Sequence, residues 1–164
     1  FQQGCEGQSA IGAFQQAREI RMTEVAFHVN AVDKVAYTCR LLRKAAATGS
    51  RVVVTGEPDD LAQLDAGLWA FAALEFVPHC RADAPAAIVR RSPVVLGQTV
   101  SDASVRVHLG GSVEGDLARF DRVIEVVGEG ESERRAARAR WKQYSAQGFS
   151  LSHHDVSQSG RRHA

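Results

Sequence analysis

From residue 23 onward, short apolar segments alternate with segments of helical period, and this alternation restricts the fold more than any other feature of the chain. Val25, Phe27 and Val29 alternate with polar residues, as in a β-strand that is buried on one face. The β-branched run over residues 51–55 predicts a buried strand of a parallel sheet. Strands that alternate with helices predict a three-layer α/β domain with a mostly parallel sheet.

Residue types at the segment ends predict where the helices lie. Asp33 can cap a helix that ends near Thr48, and Pro58 can begin a second helix. Ser132 is predicted to cap a last helix, which extends to Gln147. The remaining apolar segments predict extended pieces over 74–79 and 87–96, strands over 105–109 and 123–127, and a helical turn over 117–120.

The length of 164 residues suits a single domain. Met22 is the only methionine and the strand pattern follows it at once, so we interpret residues 1–21 as a non-native or upstream extension. We predict the α/β domain over 22–151 and a polar, flexible tail over 152–164. Three widely spaced cysteines without a CxxC pair are typical of a reducing compartment, so a cytoplasmic location is expected.

Glycines occur at two junctions between a strand and a helix, over residues 54–58 and 127–131, where a phosphate-binding loop could lie. Neither junction has a GxGxxG pattern, and both place carboxylates where a phosphate would bind. We therefore predict plain connecting loops and no cofactor. His79 and Cys80 lack further metal ligands, and no nucleophile has an evident base, so neither a metal site nor a catalytic site is predicted. A nucleotide-using enzyme stays as an alternative.

The last predicted helix combines basic residues with a tryptophan. Helical spacing places Arg134, Arg138 and Lys142 on the same face as Trp141. Such a face suits an acidic peptide with an apolar end, or a free carboxylate that arginine binds. It would also suit single-stranded nucleic acid, through stacking and phosphate contacts. The alternative is an ordinary solvated face with one tryptophan in the core.

A second aromatic cluster lies near the end of the helix that begins at Pro58. The segment 68–71 reads Leu-Trp-Ala-Phe, and Phe76, Val77 and Pro78 follow shortly after. Core packing is the default interpretation of such a cluster. An exposed apolar patch that binds a partner is the alternative.

Together the two clusters resemble the chi subunit family of bacterial DNA polymerase III. The resemblance covers roughly Met22 to Leu151. It is specific in two segments: Leu68-Trp69 with Glu75-Phe76-Val77-Pro78-His79, and Ala137-Arg138-Ala139-Arg140-Trp141-Lys142-Gln143-Tyr144 with Gly148-Phe149.

The resemblance implies a fold like that of a mononucleotide-binding domain, with Rossmann-like topology but without a nucleotide site. It implies a non-catalytic adaptor that links the clamp loader, through the psi subunit, to the acidic tail of single-stranded-DNA-binding protein. It implies that the acidic tail binds at Arg138 and Trp141, which are flanked by Arg134, Lys142 and Val127. It implies that the psi subunit binds at Trp69 and Phe76. A helicase stays open as a further partner, and contact with nucleic acid is expected to be mainly indirect.

Overall fold

The structure is a computed structural model that describes residues 22–70, 76–97 and 102–159. The predicted extension over 1–21, Phe71 of the second aromatic cluster, Leu74 and Glu75 of the predicted extended piece, and residues 160–164 lie outside the described residues. The elements follow one another as β1 (Glu24–Ala31), α1 (Lys34–Ala47), β2 (Val52–Thr55), α2 (Pro58–Ala70), β3 (His79–Arg81), α3 (Ala86–Arg91), β4 (Val94–Leu96), β5 (Val105–His108), a 3₁₀ turn (Leu117–Arg119), β6 (Arg122–Gly128), α4 (Glu131–Ala146) and β7 (Ser150–Asp155).

The described strands form one sheet in the order β3-β4-β2-β5-β6-β1-β7, and every pair of neighbours is parallel. This confirms the predicted α/β class with a mostly parallel sheet. Parallel neighbours require crossover connections, which the helices supply. No helix in the described part of the chain is long and apolar enough to cross a membrane.

Two apolar cores cover the two faces of the sheet. On one face, Cys39 and Leu42 of α1 and Leu64 of α2 pack with Val52 and Val54. On the other face, Phe27, Val53 and Val123 pack with Ala137 and Tyr144 of α4 and with the 3₁₀ turn. Successive strand residues point to opposite faces, so β2 contributes to both cores. The result is the three-layer arrangement that the sequence predicts.

The predicted start of α1 is confirmed, and that of α4 is wrong. The carboxylate of Asp33 accepts a hydrogen bond from the Ala36 amide at 2.9 Å and so caps α1. Gly130, not Ser132, occupies the cap position of α4. The carboxylate of Glu133 accepts a hydrogen bond from the Gly128 amide at 2.7 Å, which ties the first turn of α4 to the preceding loop.

Two of the predicted extended segments are also wrong. In the predicted extended piece over 74–79, the described residues 76–78 form no strand, and β3 begins only at His79, immediately after Pro78. The first part of the segment over 87–96 is helix α3, which Pro85 precedes, and only its end forms β4. The pattern of a short apolar run does not distinguish a helix from a strand. Here Pro78 marks the start of β3 and Pro85 marks the start of α3.

The polar segment that was predicted as a flexible tail from residue 152 instead continues an edge strand as far as Asp155. Strand β7 pairs in parallel with β1, in register from Glu24 opposite Ser150 to Val29 opposite Asp155. The polar composition of this segment does not predict a strand, because an edge strand with exposed side chains needs few apolar residues. Its pairing partner, β1, also lies more than 120 residues earlier in the chain.

A buried polar group lies between β2 and β5. The Oγ1 atom of Thr55 is 2.9 Å from Nδ1 of His108 and accepts a hydrogen bond from Nε of Arg106 at 3.0 Å. His108 is only 1% exposed. Burial, followed by the positive charges of Arg140 and Arg106, lowers the pKa of His108 to about 4.

We predict that a His108→Leu variant becomes more stable relative to the wild type as the pH falls from 7 to 4.5. The folded pKa of His108 lies below its unfolded value, so protonation favours the unfolded chain in this window. The relative change should be on the order of 2–3 kcal/mol. Urea unfolding of both proteins at the two pH values measures it. An identical pH dependence in both proteins would contradict the buried neutral state.

Candidate functional site

Helix α4 is fixed on the sheet by a buried carboxylate. Glu125 of β6 is 0% exposed, and it accepts hydrogen bonds from Nε of Arg140 and from the hydroxyl of Tyr144, each at 2.9 Å. Arg140 Nη2 also lies 2.9 Å from the carboxylate. Desolvation raises the pKa of Glu125, and the two donors oppose that shift. These contacts set the rotation of α4 about its own axis.

That rotation opens a groove between one flank of α4 and the strands β1, β6 and β7. The groove has a volume of about 530 Å³. Its apolar lining comprises Phe27, Val29, Val127, Ala137 and Trp141. The indole of Trp141 is partly buried and packs on Phe27, with ring centroids 5.0 Å apart and ring planes tilted by 57°, so Phe27 holds the tryptophan in place beside the groove.

The polar lining of the groove is basic or neutral. Arg134, Arg138 and His153 line it together with Asn30, and none of the described lining residues is acidic. Arg138 is exposed, with 69% of its side chain accessible, and it forms a 3.6 Å ion pair with the exposed Glu131. A surface pair of this kind contributes little, so Arg138 can exchange it for a ligand at low cost.

Asn30 holds Arg134 at the edge of the groove. Its backbone is in the left-handed region, with φ of 61°, at a register shift in the pairing of β1 with β6. The Oδ1 atom of Asn30 accepts a hydrogen bond from Nη2 of Arg134 at 3.2 Å, and its Nδ2 donates to Asp155 at 3.0 Å. Asparagine tolerates this conformation better than most residues, which explains the residue type at this bulge.

The structure brings together four of the five residues that the sequence analysis assigned to one site: Val127, Arg134, Arg138 and Trp141. Lys142 is exposed but does not line the groove. The helical repeat turns it further from the sheet than Trp141 and Arg138. The basic residues of α4 have two different roles: Arg134 and Arg138 line the groove, and Arg140 does not. Arg140 lies on the other flank of α4, where it neutralises Glu125.

Several lining residues were missed by the sequence analysis. Phe27 and Val29 were read only as strand residues, yet their period-2 spacing could have placed both on the face that α4 covers. His153 was missed because its segment was predicted to be a tail. Asn30 has no sequence signal beyond its ability to adopt positive φ.

A second surface lies on the opposite side of the sheet, where α2 ends. Trp69 is 65% exposed and Phe76 is 52% exposed, and their ring centroids are 5.2 Å apart. The buried ring of His79 lies 5.1 Å from Trp69 and bonds to Asp65 and to the Val77 carbonyl at 3.0 and 2.8 Å. His79 thus supports the two rings from below. Core packing, the default interpretation of this cluster, is therefore wrong for both rings.

Fold and surfaces together define a class: a parallel α/β domain with a basic, apolar groove on one face and an exposed aromatic patch on the other. Residues 22–152 match the family model of the DNA polymerase III chi subunit, HolC. The chain is 31% identical over 141 residues to DNA polymerase III subunit chi of Pseudomonas aeruginosa, which covers 81% of this chain and 96% of that protein. The chain therefore belongs to the DNA polymerase III chi subunit family.

We predict that two arginines of α4 differ sharply in their effect on stability. Arg140→Met leaves the Glu125 carboxylate buried without its cation and should cost about 3–5 kcal/mol of unfolding free energy. Arg138→Ala removes only an exposed pair and should change stability by less than about 0.5 kcal/mol. Urea unfolding measures both values, and the double variant Glu125→Gln/Arg140→Met should recover part of the loss. Equal effects of the two single variants would refute this account of α4.

Proposed function

We propose that this chi-family chain is a non-catalytic replisome adaptor whose groove binds the acidic carboxyl-terminal tail of single-stranded-DNA-binding protein. The observation that supports this most is the convergence of Arg134, Arg138 and Trp141 on one open groove with an apolar floor. A peptide that ends in an aromatic residue presents an apolar side chain and a carboxylate at the same point. The aromatic side chain can contact the apolar lining of the groove, and the carboxylate can pair with its arginines.

The groove's chemistry sets the expected affinity. A hydrogen-bonded pair between arginine and a carboxylate contributes about 1.5–3 kcal/mol. A phenylalanine ring that becomes buried between Phe27, Val127 and Trp141 contributes a similar amount, about 1.5–3 kcal/mol. The loss of translational and rotational freedom offsets part of this gain. Binding should therefore be weak, with a Kd of about tens of micromolar or higher, and should weaken further as salt increases.

The exposed aromatic patch of Trp69 and Phe76 is the surface that we propose for the psi subunit. Two large rings in contact at more than half exposure are unusual for a solvated surface and typical of a binding hot spot. Basic residues Arg43 and Lys44 line a neighbouring cavity of about 500 Å³ beside Phe76. A helicase stays a further candidate partner, without an assigned surface.

A nucleotide-using enzyme receives no support from the described junction before α4. There the Gly128 amide donates to the carboxylate of Glu133, which also lies 3.3 Å from Nζ of Lys34. The protein's own carboxylate therefore occupies the position in which a phosphate would accept these hydrogen bonds. This geometry favours the adaptor over the nucleotide-using alternative.

We expect Arg138→Ala to weaken binding of an acidic peptide with a carboxyl-terminal phenylalanine at least tenfold. The matched control is Arg135→Ala, an exposed arginine of the same helix that does not line the groove. Fluorescence polarisation of a labelled peptide measures both, and amidation of the peptide's terminal carboxylate should be nearly as damaging as the first variant. Unchanged affinity in Arg138→Ala would remove the groove from the binding site. An oligonucleotide of equal charge that binds as tightly would favour the nucleic-acid alternative.

The two proposed surfaces should act independently because they lie on different faces of the sheet. We expect Trp69→Ala to weaken capture of the psi subunit at least tenfold, since about 65% of this indole is exposed for a partner. The same variant should bind the acidic peptide as the wild type does. Co-purification with psi and peptide titration measure the two effects. Normal psi capture by Trp69→Ala would exclude the patch as the psi surface.

A further inference from the structure

The proposed tail-binding groove contains a histidine, His153, in addition to its two arginines. His153 lies on β7, directly opposite Phe27 of β1 in the parallel register. Phe27 belongs to the core beneath α4, so the ring of His153 lies on the α4 side of the sheet and lines the groove. His154, the next residue, lies on the other side, where its ring contacts His28 with centroids 5.2 Å apart.

We infer that His153 makes this groove pH-responsive: its protonated ring supplies a third positive charge for the peptide's carboxylates, so that binding tightens as the pH falls below 7. The inference rests on the proposed tail-binding function and adds a mode of regulation to it. Histidine is the side chain that ordinarily gains a proton in this pH range.

The charged surroundings of His153 explain why a ligand matters. Helix α4 presents Arg134 and Arg138 to the same groove, so both guanidinium groups face the space that His153 lines. The facing residues of β1, which are Phe27, Val29 and Asn30, carry no charge. On its own strand, Asp155 is the neighbouring acid; its carboxylate accepts hydrogen bonds from the Ser157 amide and from Asn30, and the charge of His153 is one of the smaller causes that lower the pKa of Asp155.

A bound acidic peptide would change the charge around His153. Its carboxylates would add negative charge beside the ring of His153, so the complex would favour the protonated ring more than the free protein does. By linkage, a proton that binds more tightly to the complex makes the peptide bind more tightly at low pH. The expected gain for one exposed charge pair is about threefold to fivefold between pH 8 and pH 5.5.

The adjacent histidines provide a matched pair of variants. Fluorescence polarisation with the labelled acidic peptide is measured from pH 8 to pH 5.5 at constant ionic strength, for the wild type, His153→Gln and His154→Gln. We expect threefold to fivefold tighter binding at pH 5.5 for the wild type and for His154→Gln. His153→Gln should bind like the wild type at pH 8 and should show no gain at low pH. Calorimetry of the wild type in two buffers of different ionisation enthalpy should show proton uptake on binding near pH 6.5.

The possible failures are distinguishable. Saturable binding with the same affinity at every pH, or a gain that persists in His153→Gln, would overturn the role of His153 and leave the groove as the binding site. No binding at any pH would overturn the proposed tail-binding function itself. A gain that disappears only in His154→Gln would move the responsive group to the opposite face of the sheet and would also contradict the inference.

Discussion

The buried contact between Glu125 and the two α4 donors, Arg140 and Tyr144, is the interaction on which the rest of the site depends. A carboxylate with no exposure tolerates neither the loss of its cation nor a rotation of the helix that supplies it. Because Arg140 must point to one flank of α4, the helical repeat turns Arg134 and Arg138 to the other flank. The position of the groove therefore follows from how α4 is anchored on the sheet. Arg134 and Arg138 reach the groove without a buried partner for their own charge.

Burial sorts the arginines of α4 by role, although the sequence presents them as one basic cluster. Arg140 has 12% of its side chain exposed and is paired with an acid, whereas Arg138 has 69% exposed and only a loose surface pair. The guanidinium groups of Arg134 and Arg138 lie beside an indole that packs on Phe27. This surface is organised before any ligand arrives. Such preorganisation lowers the entropic cost of binding a flexible peptide end.

The sequence predicted the parallel α/β fold because strand and helix periods are local properties of the chain. It also predicted Arg134, Arg138 and Trp141 as neighbours, since helical spacing alone brings them together. It failed where a partner distant in sequence decides the outcome: β7 exists because it pairs with β1. For the same reason His153 was missed, and the pairing of Arg140 with Glu125, which lies 15 residues earlier, was not predicted.

The central claim is that the groove beside Trp141, and not the patch around Trp69, receives an acidic carboxyl terminus. The chain has two tryptophans, so a proton–nitrogen correlation spectrum of the labelled protein contains two indole signals, one from each surface. Titration with the acidic peptide should shift the Trp141 indole signal in a saturable way and leave the Trp69 signal in place. A saturable shift of the Trp69 signal alone, or no shift of either, would contradict the account.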